Sequence, residues 1–129
     1  MTDVNYWAVL VSAAVVFVLA SVYYAVLAKV WQQASPAAAD VAPAAWKPPV
    51  EFVRSLVLAY VIAYLAHEMG IDTWNRGAVF GLVLWVGFPA MLWSGAMLWE
   101  NTSWRLAALH AGDWLIKLLV IGVIVGVWT

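Results

Sequence analysis

The chain has 129 residues, 67% of them hydrophobic and 10% charged, with a formal net charge of −1 and a mean hydropathy of +0.92. A water-soluble domain is roughly half apolar and about a quarter charged, so a soluble fold is excluded, as is a basic surface for nucleic acid. With no cysteine, disulfide frameworks, thiol redox chemistry and cysteine-based metal sites are excluded too.

Apolar runs of about 18 residues or more are the signature of membrane spans, and the chain consists almost entirely of such runs. Its length allows a single domain: an all-α, integral membrane four-helix bundle with predicted helices at residues 6–29, 50–69, 77–99 and 104–128. Ten tryptophans and five tyrosines suit rings that anchor helix ends at the headgroups.

The first span is bracketed by Tyr6 and Trp7 at one end and by Tyr23, Tyr24 and Trp31 at the other. The residues before it are acidic, and the run exceeds the usual ~7–15 residues of a signal peptide, so it reads as a retained span. Ser12 and Ser21 are expected to bond back to a carbonyl one turn earlier. Residues 32–49 form a Pro/Ala-rich loop with one short turn of interfacial helix around residues 37–41, and Pro48 and Pro49 set up the next helix.

In the second span Glu51 suits the helix dipole and can pair with Arg54 at i+3. Tyr60, Tyr64 and His67 form a polar-tipped stripe, and Gly70 ends the helix in the manner of a C′ glycine. The short polar connection that follows predicts that the second and third spans are antiparallel neighbours. In the third span Gly77 and Gly81 make a small-residue face for close helix contact. Pro89 falls near mid-span and predicts a kink. Asn101, Thr102 and Ser103 match the glycosylation pattern, a weak signal at three residues.

The fourth span carries the informative stretch. His110, Asp113 and Lys117 lie within a ~60° arc of one helix, while Ala108, Gly112, Gly122 and Gly126 gather on nearly the opposite side as a packing face. Ionisable groups inside a membrane segment cost roughly 2.5–3.5 kcal/mol each on insertion scales and by default mark a functional site. Asp113 and Lys117 stand at i, i+4 in the favourable order, and Lys117 lies ~18 Å along the helix from Arg105, near mid-bilayer. Depth counting predicts Tyr60 level with Asp113 and Tyr64 level with Lys117, making these the expected partners. His110 falls at the cytoplasmic edge, and histidine titrates near neutral pH. Two readings follow: a neutral structural ion pair, or a polar cluster of His110, Asp113, Lys117, Tyr60 and Tyr64 lining a cavity.

Lys29, Lys47, Arg54 and Arg105 lie around the first and third connections and Arg76 around the second. The positive-inside rule therefore predicts both termini outside. No nucleophile–histidine–acid set, two-histidine zinc spacing or phosphate loop is present. His67 and His110 belong to opposite ends of their spans, so no enzyme activity, metal or cofactor is predicted.

Trp85 to Phe88, Leu98 to Asn101, Arg105 and Leu106, Leu109 to Leu115, Ile121 and Gly122, and the closing Trp128 together resemble the bacterial membrane-protein family called domain of unknown function 1761. The opening Asn5 to Val9 and the pair Tyr23 and Tyr24 before Lys29 and Trp31 are also similar to it. The resemblance implies a small protein of about four spans in a bacterial inner membrane and carries no known activity. It also implies Asn and Tyr in many members where this chain has His110 and Asp113, which makes the charged stripe a subgroup feature.

The sequence thus reads as a non-enzymatic membrane bundle, self-associating, whose buried polar cluster binds or conducts a small solute or proton. The alternative is a structural or accessory subunit that packs on itself or on another membrane protein through its small-residue face.

Overall fold

A computed structural model describes residues 4–39 and 44–128. The chain forms α1 (Tyr6–Val26), α2 (Ala28–Ala34), α3 (Pro36–Ala39), α4 (Lys47–Glu68), α5 (Trp74–Gly87), α6 (Pro89–Trp99) and α7 (Trp104–Val127). Among the described residues four segments are long and apolar enough to cross a membrane: α1, α4, α5 with α6, and α7.

Local chemistry sets the ends. Asn5 caps α1 by accepting from the backbone N–H groups of Trp7 and Ala8, and Ser103 caps α7 by accepting from Leu106 at 3.2 Å. Gly70 sits at φ +69°, the left-handed position a glycine tolerates. Around it Ile71 N–H bonds Ala66 O and Gly70 N–H bonds His67 O, the paired bonds of a Schellman stop. The second span starts at Lys47 rather than Val50 because prolines fit the first turn, where no N–H is needed. The third starts at Trp74 rather than Gly77, capped by Thr73. The first connection differs more from the sequence reading. After a break at Leu27 the first helix continues as α2, so the loop begins later. The expected short turn of helix is α3, and the rest of its expected range, residues 40–41, lies outside the described residues.

The packing order is not the chain order. α7 touches α1, α4, α5 and α6, whereas α4 and α5, joined by a short turn, make no extended contact. The expected pairing of the second and third spans gives way because α7 holds α5 by backbone-to-backbone contact. A Cβ built on Gly77 would collide with the Gly122 carbonyl, one on Gly81 with the Leu118 carbonyl, and one on Gly126 with the Thr73 carbonyl. In lipid, association rests on such close approach rather than on water exclusion. α7 is accordingly the most enclosed span, with 39% of its apolar window buried against 22–28% for the others.

Asn5 donates to the Trp128 carbonyl at 3.1 Å, which brings the two chain ends to one side of the bundle. On that side the interior is hydrocarbon: Val9, Ala13 and Val16 of α1, Ala59 and Ile62 of α4, and Ile121 of α7. Ser21 bonds back to the Phe17 carbonyl at 2.8 Å. Ser12 does not make the expected bond. Its hydroxyl is fully buried among these side chains without a partner.

Candidate functional site

The polar site lies at the other end, below the connection between α1 and α4. Side chains on a helix tilt toward its N-terminus, so Lys117 reaches back one turn. Its Nζ lies 2.9 Å from Asp113 Oδ2, with the two side chains 10% and 5% exposed. Lys117 Nζ also stands 5.2 Å from the centre of the Trp114 ring, a cation–π contact. Lys117 shares a pocket wall with Glu51 and Arg54 from the first turns of α4.

The partners come from α1. Tyr24 Oη lies 2.8 Å from His110 Nδ1 and donates to Asp113 Oδ2 at 3.2 Å. A phenol has one proton, and the carboxylate is the stronger acceptor. The arrangement that satisfies both contacts has His110 Nδ1–H donating to Tyr24 and Tyr24 donating to Asp113. The result is a continuous chain from His110 through Tyr24 to Asp113, closed by Lys117. Trp93 of α6 stacks on the imidazole at 4.8 Å and 20°, and Trp31 of α2 meets it edge-on at 6.4 Å. Trp31 reaches the ring because the first helix continues past Leu27.

Two further donors tie α7 into the bundle. Tyr23 Oη donates to the Leu109 carbonyl at 2.6 Å, and Trp85 Nε1 donates to the Ala111 carbonyl at 2.8 Å. A Cβ on Gly112 would stand 2.7 Å from Tyr23 Oη, so Gly112 admits a tyrosine instead of joining the α5 contact. Ala108 is exposed, and Ala107 is the residue buried there. The predicted packing face thus narrows to Gly122 and Gly126 against Gly77, with Gly81 on Leu118. Pro89 starts α6 after a one-residue interruption at Phe88, whose N–H bonds Leu84 O and whose carbonyl accepts from Leu92 N–H.

Tyr60 and Tyr64 are not in the cluster. Tyr60 stacks on Tyr6 at 6.4 Å and 15°, and Tyr64 packs against the apolar core. Because α4 begins a turn early, Tyr60 is ~20 Å along it and lies past the level of Asp113. His67 borders a small recess with Asn5 and Trp128, at the opposite end from His110.

The α4 residues that do approach the cluster are Glu51 and Arg54, which pair at 2.6 Å. With Tyr24, His110, Asp113 and Lys117 they line a pocket of about 490 Å³, whose aromatic walls are Trp31, Trp93 and Trp114. The cavity is amphoteric. It holds two carboxylate–cation pairs, one on each of two facing helices, and Arg54 is the most accessible charge of the two pairs, its side chain 65% exposed.

The chain matches the model of the family described as Protein of unknown function (DUF1761) over residues 7–126. It belongs to that family. No curated protein and no solved structure matches it. The family carries no activity to transfer, so the functional reading rests on the pocket.

Proposed function

We propose that this membrane protein is a binding protein rather than an enzyme or a channel, and that its pocket takes a small solute bearing an anionic group. The observation that carries this reading is the convergence of Arg54 and Lys117 on one cavity. Each carboxylate in the wall already has its own cation, Asp113 with Lys117 and Glu51 with Arg54. Arg54 donates once to Glu51 and has further N–H donors in a planar fork that suits phosphate or carboxylate.

Binding is preferred to conduction because the polar lining stops at Lys117. Leu118, the next residue, and Ile121, one turn further along α7, belong to the apolar core, so a proton or ion would meet hydrocarbon across the remaining half of the bundle. The accessory-subunit reading loses its docking surface, since the glycine face is filled within the chain by α5. By the positive-inside rule the pocket opens to the cytoplasmic side of a bacterial inner membrane, with both termini outside.

The test is a titration of the detergent-solubilised protein with glycerol 3-phosphate at millimolar concentration, read by the ¹⁵N resonances of the His110 ring. A saturable shift is expected, weakened roughly tenfold or more in Arg54→Gln. An unchanged spectrum would overturn this reading.

A further inference from the structure

The polar pocket is not closed on the α4 side. Glu51, Arg54, Trp114 and Lys117 also line an adjoining recess of about 410 Å³. That recess shares Leu58, Val61 and Trp114 with an apolar groove of about 700 Å³. The groove has α4 on one side and α6 on the other, with Leu118 of α7 between them. It exists because α4 and α6 make no extended contact, and the break at Phe88 and Pro89 lies in its wall.

The three cavities adjoin through shared lining residues and run from polar to apolar: two carboxylate–cation pairs at the loop end, then hydrocarbon. Along α4 from Glu51 to Leu65 the path covers ~21 Å, more than the ~15 Å of hydrocarbon in one leaflet of a ~30 Å core. It is open to the bilayer at its tail. Val61, Met91 and Leu92 on its two sides are 45%, 58% and 69% exposed.

We propose that the ligand of this site is an amphiphile: a phosphate-headed lipid with its head between Arg54 and Lys117 and one hydrocarbon chain along the groove between α4 and α6. This inference rests on the reading of the polar pocket as an anion-binding site and specifies the class of its ligand. The change from polar to apolar lining favours a lipid over a second copy of the chain, because a neighbouring helix would fill the apolar end and bring no acceptor to the N–H groups of Arg54 that Glu51 leaves over. The phosphate suits the donors on offer, since guanidinium binds phosphate through two parallel N–H bonds and a lysine ammonium binds it as a point charge. The chain passes from bilayer to groove between equally apolar surroundings, so the groove accommodates the tail and the phosphate head supplies the selectivity among lipids.

Native mass spectrometry of the delipidated protein in detergent tests this with three probes: dioleoyl phosphatidate, dioleoylglycerol without the phosphate, and glycerol 3-phosphate without the chains. One phosphatidate per chain is expected, with the other two probes weaker by roughly tenfold or more. Arg54→Gln should weaken phosphatidate by a similar factor. So should Val61→Trp and Met91→Trp, which fill the groove from opposite walls at exposed positions where the fold tolerates bulk. Equal binding of phosphatidate and dioleoylglycerol would overturn the proposal. If glycerol 3-phosphate binds as tightly as phosphatidate and both tryptophan variants are without effect, the amphiphile is overturned while the small-solute pocket stands. If neither phosphate ligand binds, both readings fail. If the wild type is a dimer that either tryptophan variant splits, the groove is a face between copies and the proposal is wrong.

Discussion

Tyr24 Oη stands 2.8 Å from His110 Nδ1, joining residues 86 positions apart, and the same oxygen donates to Asp113 at 3.2 Å. One hydroxyl therefore sets both the imidazole tautomer and half of the carboxylate's solvation. Tyr24→Phe removes a hydrogen bond to a charged acceptor and should cost about 1.5–3 kcal/mol. Ring ¹⁵N spectra should show a single tautomer, protonated at Nδ1, in the wild type and a mixture in the variant. An unchanged tautomer in Tyr24→Phe would remove the hydroxyl from that role.

The buried pair gives a second prediction. Asp113→Asn leaves an ammonium without its counter-ion, and Lys117→Met leaves a carboxylate without one. Each should cost about 3–5 kcal/mol, whereas the double variant leaves neither charge and should cost much less than their sum. Thermal unfolding of all four proteins in detergent measures the coupling. Additive losses would mean that the two groups are solvated independently, despite a 2.9 Å separation.

The glycines divide into two classes. Gly77→Ala and Gly122→Ala force a Cβ into the facing backbone, with Gly122 against Gly77 and the reverse, and should cost about 1–3 kcal/mol as overpacking does. Gly95 has nothing within 4 Å of an added Cβ, so Gly95→Ala should leave stability unchanged or raise it by about 0.5–1 kcal/mol through helix propensity. Resistance to unfolding in a denaturing detergent separates the two classes.

What could be read from the sequence follows from which signals are local. Span positions, the Gly70 stop, the stripe of His110, Asp113 and Lys117, and the small-residue face of Gly77 and Gly81 all come from composition and periodicity along a single helix. The partners of the stripe depend on azimuth between helices, which one sequence does not encode directly. Depth counting selected Tyr60 and Tyr64 because the helix start was placed after the prolines instead of before them, an error of one turn. Tyr23 and Tyr24 read as interfacial anchors, yet they stand at the end of α1 that an antiparallel α7 must begin beside. Their proximity to Lys29 and the basic connection was the available signal. Gly112 shows a related limit of local signals: a small residue marks a close approach without saying whether backbone or, as here, a tyrosine arrives.

The polar pocket opens on one side of the bundle and is sealed beneath by the dry core. The chain has no cysteine, so single cysteines can be read without background. Ser21 lines the pocket, Ser12 is fully buried in the core, and exposed Gln33 and Asn75 lie at the two ends of the bundle and report its orientation. In proteoliposomes a charged, impermeant thiol reagent should modify Ser21→Cys from the same side as Gln33→Cys, never from the side of Asn75→Cys, and should leave Ser12→Cys intact from both. Modification of Ser12→Cys, or of Ser21→Cys from the Asn75 side, would mean that water crosses the bundle and would contradict the account.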